Sequence, residues 1–308
     1  MIDVTLLGVS ALAPLPDRAL TAVMLACAGR RILFDCGEGT QSAARKAGVN
    51  ALGADIIALT HYHGDHTFGL PGLMQTMLSM NRAQPLTLVG PAGLREAMAP
   101  ILALAGNLPY DVRLLELPTG GLRLRDVDPR WSEAARLAAF PTEHRVVSQG
   151  YAFTLGRAGK FMPERAKALG VPVRLWSLLQ KGEPALFDGR VVRPEEVLGP
   201  PRRGLKVVFS GDTAACPALE AAARDADLFI CEGTYGENGQ EALALDHGHM
   251  TFAQAGKLAA AANARRLWLC HYSQMIQDPE EYAVNARAFF PEAVCGQDGM
   301  AMTLKFEE

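Results

Sequence analysis

Several features that would place a protein in a special class are missing from this sequence. No apolar run approaches the roughly eighteen residues that a membrane helix needs. The N-terminus lacks the basic region and long apolar stretch of a signal peptide. The six cysteines are scattered and form no C-x-x-C pair, and most lie in apolar, strand-like runs. We therefore expect a cytoplasmic protein with buried free thiols and no contact with a membrane.

A large charge of one sign is also absent. The formal net charge is −3 over 308 residues, which argues against attraction of the whole molecule to a polyanion. The charge is unevenly distributed: residues 157–206 hold eleven Lys/Arg and five Asp/Glu, a balance of +6, and the rest of the chain carries −9. Such a segment is either a solvated loop or a surface that binds phosphates.

Short apolar runs alternate with helical patterns along the chain. We predict strands in VTLLGVSA, RRILFDCGEG, ADIIALTH, PLTLVGP, ARLAAFPTEH, LKVVFSGDT, ADLFICEGT, ARRLWLCHY and MAMTLKF, and helices over 40–47, 68–82, 92–104, 216–224, 252–263 and 279–289. Strands that alternate with helices indicate an α/β protein, and two sheets with helices outside would accommodate this many strands. The length permits one large domain, residues 1–308.

Residues 156–206 interrupt this alternation. They contain seven glycines and six prolines, and the segment is too long for an ordinary connection inside a compact domain. Because VVFSGDT resumes the strand pattern directly afterwards, we interpret residues 156–206 as an inserted basic arm and not as a linker between domains.

The stretch LTHYHGDHTFGLPGL, residues 59–73, places three histidines and one aspartate within six positions, at His61, His63, Asp65 and His66. An apolar strand precedes the cluster and a helix follows it, with Pro71 tolerated in the first helical turn. Neutral imidazoles and a carboxylate are ligands suited to zinc and related divalent ions. If buried, such side chains need partners, so crowding of this kind is hard to explain as packing alone.

Other potential ligands also follow apolar strands. His144 ends RLAAFPTEH, Asp212 ends KVVFSGD and His271 ends RLWLCH. Sites in α/β proteins are assembled where strands end. Five histidines and two aspartates at such positions suit two metal ions, with Asp212 between them. Paired metals about 3.5–4 Å apart are a known arrangement for hydrolysing phosphate esters.

One further histidine lies beside a predicted helix start. In HMTFAQ, Thr251 and Gln254 fit a capping box, so His249 lies just outside the helix N-terminus. By itself this is an ordinary loop histidine. Near a pair of metals, an uncoordinated histidine could protonate a leaving oxygen.

Together these residues resemble ribonuclease Z, the tRNA 3′-end endonuclease family of the metallo-β-lactamase superfamily. H-x-H-x-D-H is typical of the superfamily, whereas FDCGEGTQ, the GLPGL that follows the histidine motif, and the H-x-T element narrow the resemblance to the ribonuclease Z branch. The resemblance covers nearly the whole chain and is carried by FDCGEGTQ (34–41), THYHGDHTFGLPGL (60–73), EHRVVSQGY (143–151), VVFSGDT (207–213), CEGTY (231–235), HMT (249–251), LCHYS (269–273) and DGMAMTL (298–304).

This resemblance implies a four-layer αβ/βα sandwich with an inserted arm, a homodimer, and two Zn²⁺ ions with Mn²⁺ or Fe²⁺ as alternatives. It implies one metal held by His61, His63 and His144, a second held by Asp65, His66 and His271, and Asp212 shared between them. A water acidified by both ions would attack phosphorus. Asp65 would also orient that water, His249 would protonate the leaving oxygen, and Glu232 would orient His249.

The chain departs from the family pattern in segments expected to contact the tRNA substrate. The family arm has a segment like GIPPGPLYGKL, where this chain reads GVPVRLWSLLQKG, with Val173 and Arg174 replacing Pro and Gly-Pro. The family's early P-x-K-x-R-N loop is PLPDRA here, with Pro16 and Ala19 in place of Lys and Asn, and S-x-R-Y after His271 becomes SQMI.

These departures leave two predicted functions open. The first is a dizinc phosphodiesterase that removes the 3′ trailers of tRNA precursors. The second is a related metal-dependent hydrolase of small phosphodiesters or other esters with no role on tRNA. A non-catalytic relative is disfavoured because every predicted ligand is retained.

Overall fold

The computed structural model describes residues 1–117 and 119–307. The first of its two large sheets consists of β1 (Ile2–Gly8), β2 (Ala22–Cys27), β3 (Arg30–Phe34), β4 (Ile56–Ala58), β5 (Leu86–Gly90), β6 (Val112–Glu116) and β16 (Ala301–Leu304). The strand order is β16-β1-β2-β3-β4-β5-β6. Pairing is antiparallel from β16 to β3 and parallel from β3 to β6.

The second sheet is also mixed. It consists of β7 (Gly120–Arg123), β8 (Ala135–Pro141), β9 (Gln149–Arg157), β12 (Arg202–Phe209), β13 (Leu228–Glu232), β14 (Leu267–Cys270) and β15 (Val294–Cys295). The strand order is β15-β14-β13-β12-β9-β8-β7. Strands β12 to β15 are parallel, so their carboxyl ends share one edge of the sheet.

Alternating burial along the strands explains the layers. In β3, Ile32 and Phe34 belong to the main apolar core, whereas Leu33 belongs to a second core on the opposite face. The main core joins both sheets, and the ring centroids of Phe34 and Phe209 lie 5.8 Å apart. The sheets therefore pack face to face with helices outside, which confirms the predicted αβ/βα sandwich.

Most predicted helices are present with slightly different bounds. Outside the segment between β9 and β12, they are α1 (Thr40–Lys46), α2 (Gly64–Thr67), α3 (Leu70–Ser79), α4 (Leu94–Ala105), α5 (Leu124–Val127), α9 (Pro217–Ala223), α10 (Glu241–His247), α11 (Phe252–Ala261) and α12 (Ala283–Arg287), with 3₁₀ turns at Ala51–Gly53 and Pro279–Tyr282. The capping box before α11 is present: the Thr251 hydroxyl accepts the Gln254 N–H, and the Gln254 carbonyl accepts the Thr251 N–H.

Two helix predictions needed correction, and helix α10 was missed. The predicted helix 68–82 begins only at Leu70, after the separate short helix α2, and the predicted helix 279–289 is a 3₁₀ turn followed by α12. Helix α10 was not predicted. Its Leu243 and Leu245 are exposed, so it lacks the periodic apolar face by which amphipathic helices are recognised.

The segment between β9 and β12 has structure of its own. It contains α6 (Pro163–Ala168), α7 (Val173–Gln180), β10 (Ala185–Phe187), β11 (Arg190–Val192) and α8 (Pro194–Val197), and β10 pairs with β11. Ala166, Leu179 and Val197 are among the side chains of a small separate core, against which Trp176 packs. The ends of the 156–206 range belong to β9 and β12.

The positive charge of this segment lies at its base. Residues 161–198 hold six Lys/Arg and five Asp/Glu, a net charge of only +1. The remaining surplus comes from five cations on or beside β9 and β12, namely Arg157, Lys160, Arg202, Arg203 and Lys206. Arg203 is paired with Asp227 at 2.8 Å, so part of this surplus is already neutralised.

The buried free thiols expected from the sequence are present. All six cysteines are buried and free. None of the helices in the described part of the chain is long and apolar enough to cross a membrane.

Candidate metal centre and active site

The ligand turn follows β4. After Ala58, the chain leaves the sheet through buried Leu59 and Thr60, and α2 then places Asp65 and His66 in one short helical turn. The Thr60 N–H and hydroxyl both donate to the Asp35 carboxylate, at 2.8 and 2.9 Å. Because Asp35 follows the neighbouring strand β3, these bonds fix the start of the turn against the sheet.

All seven predicted ligands lie around one cavity of about 750 Å³. Five of them, His63, Asp65, His144, Asp212 and His271, line it directly. His61 and His66 are fully buried beside them, with ring centroids 4.2 Å apart. The strand-end positions predicted from the sequence are therefore brought together, although they come from both sheets.

The donor atoms form two clusters. In the first, His61 Nε2 lies 2.9 Å from His63 Nδ1, and His144 Nε2 lies 3.4 Å from the same atom. In the second, Asp65 Oδ2 lies 3.6 Å from both His66 Nε2 and His271 Nε2.

Asp212 lies between the two clusters. Its Oδ2 is 3.7 Å from His61 Nε2, 3.3 Å from His66 Nε2 and 3.2 Å from His271 Nε2. Each cluster offers donors within 4.8 Å of one another, a separation that suits a divalent ion.

The other ring nitrogens of four histidines are held by neighbouring groups. His61 Nδ1 lies 3.0 Å from Thr60 Oγ1, His66 Nδ1 lies 2.8 Å from Asp35 Oδ2, His144 Nδ1 lies 2.9 Å from the Gly248 carbonyl, and His271 Nδ1 lies 3.1 Å from Thr234 Oγ1. Metal-binding histidines usually have this second bond, because it fixes the tautomer and the orientation of the ring. The Nε2 atoms of all four are thereby directed to the shared cavity.

Burial lowers the pKa of His61, His63 and His144, so these imidazoles favour the neutral form that binds metal. Burial also opposes a charge on His66, but the Asp212 and Asp35 carboxylates outweigh it and raise its pKa. Burial opposes ionisation of Asp65, yet the bond with His271 and the charge of His66 hold its pKa well below the usual range. The shifts of His61, His63 and His144 therefore come from burial, whereas those of His66 and Asp65 come from charged neighbours that outweigh burial.

One buried atom supports metal binding at this centre. Asp212 Oδ1 has no hydrogen-bond partner among the described residues, although Asp212 is only 3% exposed. A buried carboxylate oxygen without a partner is costly unless a cation is provided. Five imidazoles and two carboxylates are also the donor types that zinc and similar ions select. The residues present therefore fit divalent metal ions.

His249 and Glu232 form a separate pair beside the clusters. His249 Nδ1 lies 2.8 Å from Glu232 Oε1, and its ring centroid is 5.0 Å from that of His144. Glu232 is fully buried and also accepts the N–H groups of Thr213 and Met250. Burial opposes a charge on His249, but the charge of Glu232 and the bond to it raise the pKa of His249 to about 9.

Two contributors to the site were not assigned a role from the sequence. Asp35 binds His66 and Thr60, and the rule that polar residues at strand ends form the site would have identified it, since it ends RRILFD. Thr234 donates to Glu232 at 2.8 Å and lies 3.1 Å from His271 Nδ1. A single loop threonine carries no sequence pattern that marks it.

Replacing Asp35 by asparagine is expected to weaken divalent-metal affinity about 10- to 100-fold, the usual effect of losing the partner of a metal-binding histidine. The amide introduced in this variant would direct an N–H at His66 Nδ1 or rotate away from it. Competition with a chromophoric chelator measures the change. Asp128→Asn, which removes an ion pair with Arg130 outside the cavity, is the control. Unchanged affinity in Asp35→Asn would show that His66 is oriented without Asp35.

Fold and site together define a metal-dependent hydrolase of the metallo-β-lactamase superfamily. A family model described as a beta-lactamase superfamily domain matches residues 30–272. Ribonuclease Z of Lachnoclostridium phytofermentans is 41% identical over 310 residues, covering 100% of this chain and 99% of that protein. Ribonuclease Z of Lachnospira eligens is 40% identical over 308 residues, with 100% and 99% covered. The chain belongs to the ribonuclease Z family.

Solved structures agree with this assignment. The short form of human tRNase Z has a TM-score of 0.66 and 27% sequence identity, covering 99% of this chain and 100% of that one. The metallo-beta-lactamase fold protein YhfI from Bacillus subtilis has a TM-score of 0.67 at 19% identity, covering 98% of each chain. The second likeness concerns the fold alone.

Proposed function

We propose that this chain is an endoribonuclease that removes 3′ trailers from tRNA precursors. The observation that carries the proposal is the convergence of seven donors in two clusters around Asp212, with the His249–Glu232 pair beside them. Full-length relatives named ribonuclease Z support the RNA substrate. Cleavage of a labelled precursor with and without divalent metal tests the proposal.

In this proposal the centre holds two Zn²⁺ ions, with Mn²⁺ or Fe²⁺ as alternatives. His61, His63 and His144 would hold one ion; Asp65, His66 and His271 would hold the other; and Asp212 would be shared. When bound, the pair of ions supplies an acidified water as the nucleophile and neutralises charge on the phosphate.

His249 is proposed to protonate the leaving oxygen. Its Nδ1 is engaged by Glu232, so Nε2 is the nitrogen that remains for the substrate. With a pKa of about 9, His249 is in its acid form at neutral pH. Glu232 is a positioning residue: it holds the imidazole and stabilises its charge. The leaving oxygen is the 3′-oxygen of the tRNA body, so the products are a 3′-hydroxyl and a trailer with a 5′-phosphate.

Asp65 is proposed to orient the attacking water as well as to bind metal. It faces the second cluster, and its Oδ2 accepts the backbone N–H of Leu12 at 2.9 Å. That bond fixes the carboxylate beside the second cluster, from which it would orient the attacking water.

We also propose that residues 156–206 form an arm that binds the RNA away from the cut. We call residues 161–198 the tip of this arm. The cations at the base of the arm, together with the exposed Arg174 and Lys181 of the tip, are suitable phosphate contacts. The Gly199 N–H donates to the Lys160 carbonyl at 2.8 Å, so the two ends of the tip are adjacent.

Replacing residues 161–198 by Gly-Ser-Gly is expected to weaken precursor binding and to reduce the slope of log affinity against log salt by about 0.7–0.9 for each phosphate that the variant no longer neutralises. Hydrolysis of bis(p-nitrophenyl) phosphate should barely change, because the small diester reaches only the cavity. The double variant Arg174→Ala, Lys181→Ala is the folded control for tip charge. An unchanged slope with the deletion would exclude the tip from RNA binding, and loss of folding would make it a structural element.

The early loop PLPDRA supports the second candidate function, a metal-dependent hydrolase of small phosphodiesters or other esters. Arg18 is only 7% exposed, and its Nη2 donates to the carbonyls of Ile276 and Gln277 at 2.7 and 2.9 Å. Arg18 is therefore used to hold the loop and is not available to the substrate. Pro16 and Ala19 offer no side-chain donors in its place.

Precursor cleavage is therefore expected to discriminate weakly between trailers that do and do not begin with CCA. Groups that read base edges are missing, and phosphate contacts position a substrate without reading its sequence. Cleavage rates for the two precursors at fixed salt measure this. Strong rejection of the precursor with CCA would show that the loop is competent despite its substitutions.

The family resemblance further predicts a homodimer in the cytoplasm. Light scattering coupled to size-exclusion chromatography tests the oligomeric state of the purified chain directly.

A further inference from the structure

Two large apolar side chains are exposed at the rim of the catalytic cavity. Leu12 is 77% exposed and Phe68 is 69% exposed, and both line the cavity. Both also adjoin the ligand turn, since Leu12 binds Asp65 and Phe68 ends α2. Neither belongs to the metal clusters or to the His249–Glu232 pair, so the proposed mechanism gives their side chains no role.

The exposure of Leu12 is imposed by its backbone. Its φ is +64°, in the left-handed region that leucine rarely adopts. The conformation is held by three bonds: the Leu12 N–H donates to Asp65, the Ala11 N–H donates to the Tyr272 carbonyl at 2.9 Å, and the Ala13 N–H donates to the Ala11 carbonyl at 2.7 Å. Strained residues persist where surrounding bonds over-determine them, and they concentrate at ligand sites. A leucine held in solvent at such a position indicates a surface that something covers.

Phe68 is fixed by a glycine. A Cβ on Gly64 would lie 2.4 Å from the Phe68 ring, so the ring packs directly against the backbone of the ligand turn. Most of the ring is left facing the cavity. Leu12 and Phe68 both adjoin the turn that carries Asp65, and we call them together the apolar rim.

Polar side chains line other parts of the same cavity. His249 lies near His144, with ring centroids 5.0 Å apart, and Tyr235 Oη lies 2.5 Å from His247 Nδ1. Arg145 also lines the cavity. These polar side chains and the apolar rim differ in chemistry.

We propose that the apolar rim is a subsite for the nucleobase directly 3′ of the scissile phosphate. The inference rests on the proposed function, because His249 donates to the 3′-oxygen that stays with the tRNA body. In this proposal the 3′-oxygen of the upstream nucleotide faces His249. The first trailer nucleotide, joined to the same phosphorus through its 5′-oxygen, extends along Leu12 and Phe68 beside Asp65. Every base presents an apolar face, so stacking holds this nucleotide whatever its identity. The rim binds a trailer without reading its sequence.

The test is a cycle between protein variants and substrate. Precursors carry either a base or an abasic site at the first trailer position, and kcat/KM is measured for wild type, Phe68→Ala and Leu12→Gly. Stacking of one base contributes about 1–3 kcal/mol, so removing it should cost wild type about 5- to 150-fold. On the intact precursor, Phe68→Ala should lower kcat/KM by a similar factor. On the abasic precursor, kcat/KM of Phe68→Ala should be close to that of wild type. Phe68→Trp should restore the base dependence.

Leu12→Gly distinguishes the effect of the Leu12 side chain from that of its backbone N–H. Glycine suits the positive φ and keeps the N–H that binds Asp65, so thermal stability should not fall. The ratio of kcat/KM between the intact and the abasic precursor should nevertheless be smaller in Leu12→Gly than in wild type. Phe289→Ala is the matched control, because Phe289 is 43% exposed and contacts Lys257 outside the cavity.

The outcomes distinguish the two levels of inference. If removing the first trailer base lowers kcat/KM as much in both rim variants as in wild type, the subsite is overturned but the endonuclease is not. The same holds if the rim variants alter the effect of removing the last base of the tRNA body instead. Failure of the wild type to cleave any precursor would overturn the proposed function itself, and the subsite with it.

Discussion

Replacing Asp212 by alanine is expected to lower diester hydrolysis at least about a thousandfold and to reduce the bound metal. Asp212 is the carboxylate within 3.2–3.7 Å of His61, His66 and His271, so it is the group that both clusters share. Loss of a single donor from a preorganised charge-stabilising site already costs about 10²–10³-fold. Loss of the shared donor should exceed that, because both clusters are disrupted at once.

Two further variants make this result interpretable. Asp212→Asn keeps the volume of the side chain but removes its charge, and it should also lose metal. Asp126→Ala removes an exposed carboxylate paired with Arg123 and should behave as wild type. Metal content by mass spectrometry and hydrolysis of bis(p-nitrophenyl) phosphate are the measurements. An Asp212→Ala protein with full metal content and substantial turnover would mean that the two clusters act independently.

His249→Ala is expected to lower precursor cleavage about 10²–10⁴-fold, the usual contribution of a general acid, with metal content unchanged. The second part is the discriminating one. His249 lies within 4.8 Å of donor atoms of His144 and Asp212, so proximity alone would also allow it to bind metal. Its bond to Glu232 favours the proton-transfer role instead. Loss of metal from His249→Ala would contradict that role.

Glu232→Gln tests the same role through pH. Glu232 raises the pKa of His249 to about 9, so the protonated acid form is present below that pH and is lost as pH rises through it. Removing the charge of Glu232 should lower the pKa of His249 toward its ordinary value near 6.5. The alkaline fall in kcat should therefore begin at lower pH in the variant. A fall at the same pH in both proteins would mean that another group sets it.

The positions of four candidate ligands could be predicted because one physical rule covers them. Polar residues where buried strands end converge at one edge of the sheets, and His61, His144, Asp212 and His271 all obey it. The period-two burial of the strands likewise anticipates the sandwich, since Phe34 and Leu33 face different cores. Both predictions depend only on local pattern.

Other features depend on contacts that no local pattern encodes. Thr234 belongs to the site because its hydroxyl contacts Glu232 and His271. Arg18 points inward because it donates to the carbonyls of Ile276 and Gln277, which lie far from it in the sequence. Leu12 reads as an ordinary loop residue until its φ is known. Long-range packing, and not propensity, decides each of these.

The most direct test of the central claim is cleavage of an end-labelled tRNA precursor beside bis(p-nitrophenyl) phosphate, with zinc and after its removal by a chelator. We expect cleavage at the 3′ end of the tRNA body in the presence of metal, giving a 3′-hydroxyl and a trailer with a 5′-phosphate, and loss of both activities in the chelated protein. Metal-dependent hydrolysis of the small diester with no cleavage of the precursor would contradict the endonuclease and support the small-ester hydrolase instead.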